Sequence, residues 1–193
     1  MLPHERLDSI LGAGSIRGFP PFGVSQTRCV CFSESPPSHL AHLITERGFA
    51  PWGVVATRSQ VIGVGGGSVA YVPSRVRSQF EAAGLGHWAV RVDDDSQWMH
   101  EREWRIPLVR PDGKRAGGLA PTSLAAILVG DAHWRPTPIT AWVHGADGTQ
   151  AHPEEPGAVP VRGELPALWL NTPIWVWDQN ISKVRVHPAG TLT

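Results

Sequence analysis

The chain has 193 residues, the length of a single domain, and it is 41% hydrophobic but only 18% charged, which excludes a highly charged disordered chain. The formal net charge of zero argues against a polybasic surface for nucleic acid or membrane lipid. The 21 glycines and 18 prolines argue against an all-helical bundle and favour short strands joined by many loops.

The first third of the chain is predicted to combine short helices with short strands. Residues 4–13 place Leu7, Ile10 and Leu11 on one stripe, which is typical of an amphipathic helix. The glycine run at 63–67 lacks the Lys and Ser or Thr of a phosphate loop, so it indicates a turn. The other elements predicted here are a strand over 28–33, a helix over 38–48, and strands over 52–57 and 68–73.

The remaining two thirds are predicted to contain one more helix and further strands. Residues 125–130 form a near-continuous apolar run, typical of a strand buried on both faces. Residues 144–163 are polar and rich in Pro and Gly, so we expect an exposed loop or insertion within a single domain spanning 1–193. The other predicted elements are a helix over 74–87 and strands over 88–92, 103–109, 169–178 and 181–187.

Together these elements predict seven or eight short strands and two or three helices. They do not alternate as strand, helix and strand, so a parallel βαβ architecture is disfavoured. The predicted fold class is therefore α+β with a mixed or largely antiparallel sheet.

The segment Trp98–Ile106 carries the strongest chemical signal. If it is extended, Glu101, Glu103 and Arg105 share one face, while Arg102 and Trp104 lie on the other. Two close carboxylates repel, which raises the pKa of one of them. Such a pair is suited to orienting a hydroxyl or stabilising a cationic transition state. The alternative is a salt-bridged edge strand anchored by a buried Trp104.

A second signal follows the strand predicted over 28–33. Ser33 and Glu34 place a hydroxyl and a carboxylate at the end of a buried strand, while Ser35 is suited to a turn or helix cap. The chain also has nine tryptophans, most of them expected as anchors of the core. One or two of these rings could stack on a base or a nicotinamide.

Several kinds of site and location are disfavoured. No apolar stretch approaches the ~20 residues that span a membrane, and the N-terminus lacks the apolar core of a signal peptide. We therefore expect a cytoplasmic protein without a membrane partner. Cys29 and Cys31 form no CxxC pair and the histidines form no HExxH motif, so we expect reduced cysteines and no metal.

Several segments in order resemble a known group of bacterial proteins. They are SIL, CVCFSESPPSHLAHLI, RGFAPWGVV, VAYV, HEREWRI and AAILVGD, and they cover roughly residues 7–134. The chain resembles abortive-infection AbiGi-like bacterial proteins, which are described as antitoxins. Its layout is also similar to that of DarT-type ADP-ribosyltransferase-fold proteins, which modify DNA.

The resemblance implies an ADP-ribosyltransferase-like fold with a split sheet, and NAD bound in a cleft between two small sheets. The pair Glu101 and Glu103 matches the E-x-E motif of this fold. Glu103 would be the catalytic residue that stabilises an oxocarbenium-like ribose and orients its 2′-hydroxyl. Glu101 would orient the acceptor. The strand that opens the DarT-type layout is expected to be short, displaced or absent, because only six residues precede Leu7.

The same resemblance implies a set of NAD-binding residues. Ser33 would support the ribose region at the end of its strand. Arg28, or alternatively His4, would anchor NAD. Trp52 or Tyr71 would hold the nicotinamide side together with Ser33.

The function implied is ADP-ribose transfer from NAD, with loss of nicotinamide, to a nucleic acid or protein acceptor. The setting implied is a bacterial phage-defence or toxin–antitoxin system with a cognate toxin or antitoxin as partner. The alternative is a non-catalytic antitoxin-like binding module that keeps the fold. A third hypothesis is a nucleic-acid-binding domain that uses its Arg and Trp residues.

Overall fold

The computed structural model describes residues 1–21, 27–93, 98–109, 113, 116–145, 149–152 and 154–193. These residues form an α+β fold with several small, mostly antiparallel sheets. The α-helices are α1 (Pro3–Ala13), α2 (Pro37–Thr45), α3 (Arg58–Gly63), α4 (Ser74–Ala82) and α5 (Ala167–Asn171). The strands are β1 (Ile16–Arg17), β2 (Cys29–Ser33), β3 (Gly53–Val55), β4 (Gly67–Ser68), β5 (Ala70–Val72), β6 (Ala89–Arg91), β7 (Glu103–Pro107), β8 (Gly118–Leu119), β9 (Ala126–Val129), β10 (Ile139–His144), β11 (Ala158–Glu164), β12 (Ile174–Asp178) and β13 (Lys183–His187).

Two sheets form the centre of the fold. The first has four strands in the order β13-β12-β9-β3, with β12 and β9 parallel and the other pairs antiparallel. The second has three antiparallel strands in the order β2-β7-β4. The pairs β1–β8, β10–β11 and β5–β6 are separate, and β5–β6 is parallel. The sheets are therefore mixed, as the sequence predicts.

The main apolar core lies on one face of the four-stranded sheet. All four residues of β9 are buried, which confirms the strand predicted from the apolar run at 125–130. Leu7 and Leu11, one turn apart on α1, join Ile127 and Ile174 of the sheet in one cluster. The indole of Trp169 on α5 completes it and donates a hydrogen bond from Nε1 to the carbonyl of Leu192 at 2.7 Å.

A second apolar cluster belongs to the three-stranded sheet. Val30 of β2, Ile106 of β7 and Val61 of α3 pack together there. Gly66 lies so close that a Cβ would stand 2.6 Å from Cγ1 of Val61 and 2.8 Å from Cγ1 of Ile106. The glycine run at 63–67 therefore allows close packing of the turn on this cluster.

The structure corrects several predicted elements. The predicted range of two or three helices is too low, because α3 and α5 also form, and α5 occupies the start of the strand predicted over 169–178. The predicted loop 144–163 contains most of β11, which pairs with β10 as a hairpin. Residues 146–148 and 153 of that loop lie outside the described residues.

No helix in the described part of the chain is both long and apolar enough to cross a bilayer.

Replacement of Trp169 by Ala should lower the free energy of unfolding by about 3–5 kcal/mol. The side chain is 1% exposed and fills the centre of the main core, so its loss leaves a cavity and removes a hydrogen bond. Urea unfolding measures the change. Trp98→Ala is the matched control, because this ring is 47% exposed and should cost much less. Equal losses for the two variants would contradict the packing described.

Candidate functional site

Strands β2 and β7 place the predicted carboxylate segment against the predicted serine segment. Their register pairs Ser33 with Glu103, Phe32 with Trp104, and Cys31 with Arg105. Side chains alternate between the two faces of a strand, so Glu103 and Arg105 share a face, as the period of two predicts. Trp104 packs on the opposite, apolar face with an intermediate burial, which agrees with the mostly buried anchor that was expected.

Glu101 reaches the same region by a different backbone path. The extended conformation predicted for it is wrong, because Trp98–Glu101 form a 3₁₀ turn and β7 begins at Glu103. Arg102 joins the two with a left-handed φ of 46°. Ser33 stabilises this junction between the 3₁₀ turn and β7, because its hydroxyl donates a hydrogen bond to the carbonyl oxygen of Glu101 at 2.6 Å.

Glu103 and Arg105 form a two-pronged ion pair. Nε and Nη2 of Arg105 each donate to a different carboxylate oxygen of Glu103 at 2.8 Å. The side chains are 6% exposed for Arg105 and 13% for Glu103. Burial is the largest single influence on Arg105 and disfavours its charge, but the hydrogen bonds to Glu103 and the negative charge of that carboxylate together raise the pKa of the guanidinium.

The ion pair is tied to the rest of the fold through main-chain groups. Nη1 of Arg105 donates to the carbonyl of His87 at 2.7 Å. The backbone N–H of Glu103 donates to the hydroxyl of Tyr71 on β5 at 2.7 Å. The pair therefore connects β7 to the β5–β6 unit and holds Glu103 in one orientation.

A cavity of about 850 Å³ opens in front of this pair. Both Glu101 and Glu103 line it. Its lining also includes the aromatic ring of Trp98 and, besides Arg105, three cationic side chains, Arg17, Arg77 and Arg91. Three of these four guanidinium groups are paired with carboxylates, Arg105 with Glu103, Arg77 with Glu81 and Arg91 with Asp93. The cavity therefore presents guanidinium donors and fixed carboxylates side by side, which suits a ligand that carries both anionic groups and hydroxyls.

The titratable groups in the cavity are perturbed. Burial, and then the negative charge of Glu103, raises the pKa of Glu101. Partial burial of the sulfur, followed by a hydrogen bond to Glu103, raises the pKa of Cys31 to about 12. Burial raises the pKa of Cys29 to about 11. Both thiols are thus protonated at neutral pH, and neither is an activated nucleophile.

The structure does not place the residues predicted to bind NAD in the cavity of Glu103, and Ser33 and Trp52 together line a different cavity. Tyr71 accepts a hydrogen bond from the backbone N–H of Glu103, and Ser33 donates one to the backbone carbonyl of Glu101. Both therefore position the backbone of the two glutamates. Trp52 lies in an aromatic cluster, with its ring centroid 5.2 Å from that of Trp134. Arg28 is exposed beside β2, where its carbonyl accepts from the N–H of Leu108 at 2.8 Å. Among the described residues, these four side chains do not line the cavity of Glu103.

His4, the alternative to Arg28, also lies apart from this cavity. It belongs to α1, and its ring centroid is 5.7 Å from that of Trp52.

The sequence placed Arg105 beside the carboxylates but did not indicate the other three cations of the cavity. Arg17 lies on the two-residue strand β1, in a glycine- and proline-rich segment of the sequence. Arg77 belongs to α4 and Arg91 to β6, where Arg77 pairs with Glu81 at 2.9 Å and Arg91 with Asp93 at 3.3 Å. No local motif marks these arginines, because only the tertiary fold brings them together.

Comparisons with family models, with curated proteins and with solved structures find no match to this chain. Among the described residues, no group of three or more His, Cys, Asp or Glu side chains could hold a metal ion.

Removing one partner of the Glu103–Arg105 pair should lower the free energy of unfolding substantially. Removing both partners should lower it by less than the sum of the two single losses. Arg105→Met leaves a largely buried carboxylate without its partner, which costs about 3–5 kcal/mol of unfolding free energy. Adding Glu103→Leu to it should show a coupling of about 0.5–3 kcal/mol in urea unfolding.

The control for this cycle is Arg185→Met. Arg185 also pairs with a carboxylate, that of Asp178, but its side chain is 66% exposed, so the loss should be only about 0–1 kcal/mol. Strictly additive losses for Glu103 and Arg105 would show that the pair does not act as a unit.

Proposed function

We propose that this chain is an ADP-ribosyltransferase-like domain of a bacterial phage-defence or toxin–antitoxin system. It uses NAD as substrate and transfers ADP-ribose to a nucleic acid or protein acceptor. The observation that carries the proposal is the shared cavity: two carboxylates, one of them rigidly held, face a space lined by arginines. The resemblance of the CFSE and EREWR segments to this class of protein adds to it.

Glu103 is assigned the stabilisation of the reacting ribose. In the reaction the bond between C1′ of ribose and nicotinamide breaks, nicotinamide leaves with the electron pair, and C1′ becomes oxocarbenium-like. A fixed carboxylate stabilises this positive charge without having to reorganise. The two hydrogen bonds from Arg105 hold the Glu103 carboxylate in place. Each carboxylate oxygen retains a further lone pair, which can accept a hydrogen bond from the ribose 2′-hydroxyl.

Glu101 is assigned to the acceptor. Its raised pKa makes the carboxylate a stronger base than an exposed glutamate, and it lines the same cavity as Glu103. It would orient the acceptor and take the proton released as the new bond to C1′ forms. Ser33 holds the carbonyl of this residue and so acts as a positioning residue.

Three arginines and a tryptophan of the lining suit other parts of the dinucleotide, while most of the rest of the lining is apolar. Guanidinium groups recognise phosphate oxygens through paired hydrogen bonds, so Arg17, Arg77 and Arg91 suit the pyrophosphate. Trp98 is 47% exposed on the cavity wall, and its flat ring suits stacking on nicotinamide or adenine.

One observation favours the alternative, a non-catalytic antitoxin-like binding module. Both carboxylate oxygens of Glu103 are already bonded to Arg105, which is also what a purely structural ion pair requires. In this alternative the cavity binds part of a cognate toxin or antitoxin, and NAD is not cleaved.

The roles assigned to Glu103 and Glu101 can be distinguished in an assay that measures both nicotinamide release and the labelling of added DNA, RNA and protein. Glu103→Gln should slow both by about 10²–10³, because it removes charge that stabilises the transition state. Glu101→Gln should preserve release to water and slow acceptor labelling by about 10²–10⁴. Labelling by the wild type should fall as pH drops below the raised pKa of Glu101, and this acid limb should vanish in Glu101→Gln.

The control for these variants is Glu154→Gln, an exposed carboxylate away from the cavity. Unfolding is measured for every variant, because Glu103→Gln also leaves Arg105 without its ionic partner. Absence of NAD binding and of nicotinamide release in the wild type, with every acceptor, would refute the enzyme and favour the binding module. Equal activity of the wild type and a folded Glu103→Gln would remove Glu103 from the mechanism.

A further inference from the structure

The reverse face of the β2–β7 pair borders a second cavity, of about 620 Å³. Phe32 and Trp104, which are cross-strand partners, line it from the three-stranded sheet. Leu128 and Trp175, which are partners in β9 and β12, line it from the four-stranded sheet. Leu40 adds an apolar contact from α2. The cavity is therefore an apolar space between the two central sheets.

A small charged cluster adjoins this apolar space. The Oε1 atom of Glu34 accepts from Nη2 of Arg58 and, at 3.1 Å, from Nη2 of Arg102. Its Oε2 accepts from the indole N–H of Trp104 at 3.0 Å. Trp104 thus belongs to both the apolar lining and the charged cluster. Glu34 and Arg58 themselves line the cavity.

The cluster carries more positive than negative charge. The Trp104 indole N–H, and then the Arg58 guanidinium, hold the pKa of Glu34 below its ordinary value, so this carboxylate is ionised at neutral pH. Glu34 is 18% exposed, whereas Arg58 is 67% and Arg102 is 47% exposed. One carboxylate meets two guanidinium groups, and the exposed guanidiniums retain N–H donors beyond those bound to Glu34.

We propose that this second cavity binds a small monocarboxylate with an apolar body. The apolar body lies between the two sheets, and its carboxylate accepts hydrogen bonds from Arg58, the guanidinium that lines the cavity. A cationic ligand is disfavoured by the excess positive charge. The proposal does not depend on the chemistry of the Glu103 cavity, which lies on the opposite face of β7.

Calorimetric titration of the full chain with decanoate and with uncharged decanol tests the proposal. Decanoate should bind the wild type with one site. Arg58→Gln should weaken this binding about tenfold, which corresponds to about 1.4 kcal/mol. The same variant should leave decanol binding unchanged. Arg185→Gln is the matched control, because Arg185 is 66% exposed, is also paired with a carboxylate, and lies on β13 outside the cavity lining.

A second variant tests the apolar wall. Leu40→Trp should fill part of the cavity and weaken decanoate and decanol together, with urea unfolding used to check that the variant folds. Absence of decanoate binding to the wild type would overturn the proposal. So would an unchanged affinity for decanoate in Arg58→Gln, or an equal loss in Arg58→Gln and Arg185→Gln.

Discussion

The ion pair between Glu103 and Arg105 is the interaction on which the candidate site depends. Taking both charges largely out of water is expensive, and the two parallel hydrogen bonds between them offset that cost. The remaining donors of Arg105 reach the carbonyl of His87, while Tyr71 accepts from the N–H of Glu103. One pair thereby joins the three-stranded sheet to the β5–β6 unit, which carries Arg91.

Strand β7 serves two cavities because its side chains alternate. Glu103 and Arg105 face the cavity of about 850 Å³, and Trp104 between them faces the apolar cavity of about 620 Å³. Glu101 and Arg102, which precede β7, also contribute to the two cavities. Glu101 lines the first cavity, and Arg102 pairs with Glu34 beside the second. Ser33 of β2 holds the carbonyl of Glu101. The five-residue segment from Glu101 to Arg105 thus contributes side chains to both cavities and to the charged cluster beside the second one.

Strong local patterns predicted much of the fold. The stripe of α1, the buried run of β9 and the alternation along β7 reflect burial of side chains at a fixed period, which a sequence displays directly. Helix α3 was missed although its signal is present. Thr57 and Gln60 form a capping box, in which the N–H of Thr57 donates to Oε1 of Gln60 at 2.7 Å. Strand β11 was missed because Pro160 and Gly163 are residue types typical of loops. In a two-stranded hairpin, however, each strand has an unpaired edge, and an edge strand tolerates proline.

The candidate site was only partly predictable, for a different physical reason. Glu101 and Glu103 could be found because they are neighbours in sequence. Arg17 and Arg91 come from separate elements and meet the carboxylates only through folding. Trp52 and Tyr71 have residue types that suit a nicotinamide site, but packing directs Trp52 to the aromatic cluster and Tyr71 to the backbone of Glu103.

Calorimetric titration with NAD measures binding in the cavity of Glu103 without requiring an acceptor. One NAD should bind per chain, and Arg17→Gln should weaken the affinity about tenfold, or about 1.4 kcal/mol. Arg185→Gln, outside the cavity, should bind NAD as the wild type does. If no heat of binding is seen, or if wild type and Arg17→Gln bind NAD equally well, this cavity is not an NAD site.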